Sequence, residues 1–183
     1  MNGALSDLLV LDFTHMLSGP FGTMLLGDQG AETIKIEPLE GESTRRLLAN
    51  DPENSIDGMG AYFLTLSRNK KSVCLNLKSA RGLDLFYRLV EQADVVVDNF
   101  SRGVTQRLKI DHKALSAINP RIITCSITGF GETGPDPDRS AFDLVTQAMG
   151  GGMSITGEEG GAQFAPVFPS ATLAVDCLAL SVF

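Results

Sequence analysis

Val10-Leu11-Asp12-Phe13-Thr14 runs into Ser18-Gly19-Pro20 and then into Gly30-Ala31-Glu32-Thr33-Ile34-Lys35-Ile36-Glu37-Pro38. An apolar run, a Gly-Pro turn, a short helical stretch and a second apolar run read in that order as a compact β-α-β unit. The strands of that unit are expected at Leu8 to Phe13 and Thr33 to Glu37, with others at Ser72 to Leu77, Val95 to Asn99 and Arg121 to Ile127. Helical stretches fall at Pro20 to Gly27, Ser79 to Ala93, Val104 to Leu108 and Lys113 to Ala117. Ser79 can cap its helix, while Leu83, Phe86, Leu89, Val90 and Ala93 form one apolar face. Val95-Val96-Val97 and Ile122-Ile123 are apolar without alternation, as strands covered on both faces are. The fold class that follows is α/β: an open, mostly parallel, Rossmann-like sheet with flanking helices. No G-x-G-x-x-G follows the first strand, so the usual nicotinamide signal is missing. Pro38 to Met59 reads as a long polar connection, of a length that is usually functional or mobile.

With 183 residues, 43% hydrophobic and 20% charged, the chain can bury one real core and is expected to form one domain. A net charge of −7 argues against a nucleic-acid partner. A phosphate-bearing ligand must then meet a local basic cluster, and Arg68-Asn69-Lys70-Lys71 is the densest. Cys74, Cys125 and Cys177 lack metal-type spacing, so no metal site is expected and the three read as buried free thiols in a reducing compartment. No apolar stretch has the length of a membrane span, and the N-terminus lacks the regions of a signal peptide. A soluble cytoplasmic protein is the expectation. Ala171 to Phe183 reads as an apolar helix with no terminating glycine, basic turn or proline, as though the chain were cut inside it.

The opening stretch resembles that of the family III CoA-transferases, the CaiB/BaiF group, which begin V-L-D-x-(T/S), (A/S)-G-P and G-A-(D/E)-V-I-K-(I/V)-E. Further segments are similar in the same order: Ser67-Arg68-Asn69-Lys70-Lys71-Ser72, Asp98-Asn99-Phe100-Ser101-Arg102-Gly103, Asn119-Pro120-Arg121-Ile122-Ile123 through Ser126-Ile127-Thr128-Gly129-Phe130-Gly131, and Phe142-Asp143-Leu144 with Gln147-Ala148 and Thr156-Gly157. Arg102 stands where the family usually has proline. The resemblance implies that residues 1–183 are the N-terminal part of a large CoA-binding Rossmann-like domain, with a second domain and a C-terminal return lying beyond this chain. It also implies that the full-length protein is an interlocked homodimer.

The activity implied is transfer of CoA from an acyl-CoA thioester to a carboxylic acid. No cofactor is bound permanently; CoA and acyl-CoA are substrates, with a carboxylic acid as the second. The chemistry needs a carboxylate nucleophile, because only a mixed anhydride is reopened readily by the released thiolate. Laid on the family pattern from Thr156-Gly157 without gaps, this chain has Thr172 at the position of the family aspartate. Asp176, four residues on and on the same helix face, is the fallback carboxylate. Thr172 is read either as a substitution that traps a complex or as the mark of a relative with altered or lost activity, which leaves a CoA-binding protein without transfer as the alternative function. An acyl-CoA racemase would carry histidine before the aspartate of the Phe142-Asp143 pair, and Phe142 stands there instead.

The resemblance assigns CoA contacts to Leu17, Ser18, Leu66, Arg68, Asn69, Lys70, Asn99, Phe100, Ser101 and Arg107, and the reactive end of CoA to Ala141, Phe142 and Asp143. Leu17 and Pro38 depart from the polar residue and the arginine of many relatives, which shifts phosphate binding onto the Arg68 cluster. On composition alone that cluster is equally well a solvated turn. His15 lies in the first strand-to-helix turn near the expected ligand, and His112 at an exposed helix start.

Overall fold

The computed structural model describes residues 3–165. Strand β1 (Leu9–Asp12) is followed by helix α1 (Ser18–Asp28) and strand β2 (Glu32–Glu37). Next come a two-residue pair β3 (Ser55–Ile56) and β4 (Met59–Gly60), helix α2 (Ala61–Leu66) and strand β5 (Lys70–Cys74). Helix α3 (Ala80–Val90), strand β6 (Val95–Asp98), helices α4 (Val104–Leu108) and α5 (His112–Ser116), strand β7 (Ile123–Ser126) and helix α6 (Asp143–Met149) complete the order. The main sheet is five-stranded and entirely parallel, in the order β5-β2-β1-β6-β7. The α/β expectation holds, as do its element positions to within a few residues.

Apolar residues on both sides of β1 and β6 explain why the sheet is covered twice. Leu11, Phe13 and Val96 pack with Phe86 and Val90 of α3 and with Leu115 of α5 on one face. Val10, Val95 and Val97 pack with Leu26 of α1 on the other. All four residues of β6 are buried. At the edge, Ile123 of β7 is 48% exposed and Cys74 of β5 is exposed, which corrects the reading of Cys74 as a buried thiol. Ser79 caps α3 as expected, its Oγ accepting from the Gly82 N–H at 3.0 Å.

The Pro38 to Met59 connection is more ordered than its polarity implied. Asp57 and Gly58 both adopt positive φ, 50° and 73°, the geometry of a tight hairpin turn, and this joins β3 to β4. Helix α2 was not legible because six residues are too few for a helical period; Phe63 and Leu66 bury it nonetheless. Glu37, at the end of β2, ties the connection to the sheet. Its carboxylate accepts from Arg45 Nε at 2.7 Å and Nη2 at 2.6 Å, from Ser72 Oγ at 2.6 Å and from the Glu42 N–H at 2.8 Å. The Arg45 guanidinium also lies 4.0 Å from the centroid of the Phe63 ring.

Burial pushes the Glu37 carboxyl up, but these donors outweigh it and bring it down to about 2. A carboxyl held below its unfolded value stabilises the fold above about pH 4.5 and loses that contribution as pH falls toward 2. Urea unfolding followed across that window should show a loss of about 3 kcal/mol, and Arg45→Met should lower stability at pH 7 and flatten the slope.

Candidate functional site

Strand order reverses at β1 and β6, which lie side by side while the chain winds outward from each in opposite directions. The segment after β1 leads to α1 on one face, and the segment after β6 leads to α4 and α5 on the other. A crevice therefore opens between residues 13–18 and 98–103 at the carboxyl ends of these strands, the place where open α/β sheets bind ligands.

Close approach shapes the first wall. A Cβ on Gly19 would lie 2.3 Å from Cβ of buried Thr14, so only glycine lets α1 start this near the strand. Leu17 occupies the N-cap of α1 without any side-chain cap, and Ser18 opens the helix. Both are partly buried at the crevice. Thr14 and His15 between them are pinned from neighbouring strands: Lys35 Nζ donates to the Thr14 carbonyl at 2.6 Å, and the Asn99 amide bonds both the N–H and the carbonyl of His15, at 3.0 and 2.7 Å. The His15 and Phe100 ring centroids stand 5.9 Å apart. Burial, with Lys35 adding to it and Glu42 and Asp98 opposing, lowers the His15 pKa, so the imidazole is neutral at pH 7.

A set of buried charges lies beneath this loop. Asp12 is fully buried, and its Oδ2 accepts from Lys70 Nζ at 2.9 Å and Thr23 Oγ1 at 2.8 Å. Lys70 Nζ also donates to Thr23 Oγ1 at 2.7 Å and to the Pro20 carbonyl at 2.9 Å, joining β5 to α1. Desolvation pushes the Asp12 carboxyl up, and the two lysines and Thr14 more than reverse it.

Asp98, at the end of β6, is buried with Ser126 Oγ donating at 2.7 Å and the Phe100 N–H at 3.1 Å. Burial raises its pKa against these bonds. Beside it, a cleft of about 160 Å3 is lined by Asp98, Thr105, His112, Ser126 and Glu132 among others. That volume suits one part of a ligand rather than the whole of a large one.

The expected site residues divide by edge of the sheet. Leu17, Ser18, Asn99, Phe100 and Ser101 converge at the carboxyl edge, and Arg107 on α4 is exposed, its Nη1 3.1 Å from where a Cβ on Gly103 would lie. Ala141 is brought to the same edge, against Gly129 just after β7, where an added Cβ would lie 1.9 Å from that of Ala141. Phe142 is 76% exposed and so is no core residue, and Asp143 starts α6 with Gln147 Nε2 bonded to it at 2.5 Å. Arg68, Asn69 and Lys70 lie elsewhere. Arg68 and Asn69 precede β5 and Lys70 opens it, at the amino edge, where Arg68 forks onto Asp28 at the end of α1 and Asn69 Nδ2 joins it at 2.7 Å. Lys70 is no solvated turn residue, since its side chain is 1% exposed and its ammonium reaches Asp12 at the end of β1. Leu66 is likewise a core side chain, 7% exposed. Thr172 and Asp176 lie outside the described residues.

Lys78 was missed. It follows β5 at the carboxyl edge, is exposed, and like Arg107 has no ion pair among the described residues. Strand direction could have found it: in a parallel sheet, residues after a strand face the ligand edge and residues before it face away. Tyr62 on α2 is partly buried, and burial raises its pKa, with Glu42 and Asp143 adding to it. Among the described residues no helix is long and apolar enough to cross a membrane, and no cluster of three metal-binding side chains occurs.

Comparison with known proteins adds a family. The pattern described as CoA-transferase family III matches residues 5–179. The chain is 41% identical over 160 residues to succinate–glutarate CoA-transferase of Agrobacterium fabrum, covering 86% of this chain and 40% of that protein. It is 44% identical over 156 residues to acetyl-CoA:oxalate CoA-transferase of Acetobacter aceti, covering 85% and 39%. Among solved structures, a CaiB/BaiF family protein from Brucella suis superposes with a TM-score of 0.87 at 35% identity, covering 100% of this chain and 50% of that one. The chain thus spans about 40% of the length of the curated relatives it matches.

The buried and exposed cations of the 68–70 turn should behave differently on removal. Lys70→Met leaves Asp12 charged and unpaired and should cost about 3–5 kcal/mol in urea unfolding at pH 7. Arg68→Ala, at a solvent-exposed pair, should leave the urea midpoint nearly unchanged.

Proposed function

Because the chain belongs to CoA-transferase family III, we propose that it seats the CoA of an acyl-CoA thioester in the β1/β6 crevice and takes part in moving that CoA to a free carboxylic acid. The observation that carries this reading is the sheet order, which gathers the Leu17-Ser18 turn and the Asn99-Phe100-Ser101 segment at one switch point. Lys78 and Arg107 are the cations on that edge for the CoA phosphates, in place of the Arg68 turn. Ala141, Phe142 and Asp143 serve the reactive end. The relatives that share this chain's pattern are named for different acids, so the acceptor is a carboxylic acid of unspecified structure. The complete protein acts as a homodimer in this reading.

In the transfer itself an enzyme carboxylate attacks the donor thioester carbonyl. The C–S bond breaks, giving a mixed anhydride and CoA thiolate. The thiolate then attacks the enzyme's own carbonyl, releasing the donor acid and leaving an enzyme thioester. The acceptor carboxylate displaces the thiolate from that thioester to form a second anhydride. Attack of the thiolate on the acceptor's carbonyl yields the new acyl-CoA and restores the enzyme carboxylate. Water must stay out, since each anhydride or thioester hydrolyses irreversibly.

Thr172 at the nucleophile position favours a second reading, a CoA-binding relative without transfer, because a threonine ester is too weak an acyl donor for the thiolate to reopen. Incubation of the intact protein with acyl-CoAs, trapping with hydroxylamine or borohydride and mass spectrometry separate the two. An adduct on Asp176 or another carboxylate means transfer as the protein stands. CoA binding without an adduct, together with transfer gained in Thr172→Asp, means a competent scaffold lacking only its nucleophile. Absence of CoA binding overturns both.

The edge assignment has its own measurement. By calorimetry, Lys78→Ala and Arg107→Ala should each weaken CoA binding about tenfold and lessen its salt dependence, while Arg68→Ala should leave it unchanged.

A further inference from the structure

The turn between β1 and α1 is held by side chains rather than by backbone pairing. The Thr14 N–H donates to Asp12 Oδ1 at 2.8 Å, and the Thr14 carbonyl accepts from Lys35 Nζ at 2.6 Å. The His15 N–H donates to Asn99 Oδ1 at 3.0 Å, and the His15 carbonyl accepts from Asn99 Nδ2 at 2.7 Å. Lys35 reaches in from β2, on one side of β1, and Asn99 from the end of β6, on the other. Directly after the gripped peptides, Met16 sits at φ 66°, a left-handed conformation that strains a non-glycine residue. Such a residue persists only where its surroundings over-determine it. Lys35 is 2% exposed and serves the core as well, whereas Asn99 lies half-buried at the crevice and bridges its two walls.

We propose that Asn99 is a positioning residue whose side-chain amide clasps the β1–α1 turn across the switch point, setting the crevice width and the seat of the His15 ring before a ligand arrives. An asparagine suits this because a planar amide offers a donor and an acceptor side by side, matching the N–H and carbonyl of one residue. The Phe100 ring, next in sequence, meets the His15 ring at 5.9 Å, so clasp and ring contact act on the same pair of loops. One N–H and one lone pair of Asn99 stay available to a ligand, and a clasp is therefore compatible with direct contact.

Only the identity of the ligand rests on the CoA reading. The experiment is amide exchange by NMR on the ligand-free intact protein, paired with CoA titration by calorimetry, for Asn99→Ala and Asn99→Asp. Asn99→Ala should speed exchange of the His15 amide about tenfold, shift the His15 ring protons and leave the Val10 and Val97 amides protected. Asn99→Asp keeps the acceptor and loses the donor, so its His15 exchange should fall between the two. CoA affinity should drop about tenfold in Asn99→Ala. Unchanged His15 exchange in Asn99→Ala overturns the clasp, and faster exchange with undiminished CoA affinity overturns its role in binding. If the unaltered protein takes up no CoA, the CoA reading fails and the exchange rates still decide the clasp.

Discussion

The Asp12 carboxylate lies at the end of β1 with the Lys70 ammonium 2.9 Å away, both closed off from water, and the carboxyl edge of the sheet is built around that pair. Two charges taken from water are tolerated only when their remaining hydrogen-bonding capacity is met. Here Thr14 and Thr23 fill the carboxylate, while Thr23 and the Pro20 carbonyl fill the ammonium. The consequence is mechanical as well as electrostatic. The start of α1, the end of β1 and the beginning of β5 share one set of bonds, so the crevice has a rigid floor.

Lys35 extends that floor upward. Its ammonium is near enough to Asp12 to lower the carboxyl's pKa, yet its hydrogen bond goes to the Thr14 carbonyl and so stiffens the turn above. The strained Met16 backbone, the uncapped start of α1 and the neutral His15 ring all occur within a few residues of this support. Strain and open backbone donors gather at functional sites because packing elsewhere sustains them. Glu37 and Arg45 do the corresponding work for the long connection, anchoring it to the end of β2.

Most of the fold was legible in the chain. Unalternating Val95-Val96-Val97 reported a strand buried on both faces, and Ser79 reported a helix start, because those signals are local. The short elements α2 and β3–β4 were not, though Asp57-Gly58 carried the hairpin signal. At the site, the loops after β1 and β6 were legible from motif order. The partners of the 68–70 turn were not legible, since a cluster of basic residues in sequence says nothing about which groups it meets across the fold. Arg68 meets Asp28 forty residues away and Lys70 meets Asp12 fifty-eight away, pairings no window of sequence contains.

By itself the sequence determined the α/β class and the family, both of which depend on residue order or on periodicities of a few residues. Tertiary structure alone decided which cations lie at the carboxyl edge of the sheet, that the Lys70 ammonium is buried against Asp12, and that Asn99 grips the His15 backbone. The physical reason is that charge and hydrogen bonding act through space. Their partners are chosen by strand direction and sheet order, which bring together groups that the chain keeps far apart.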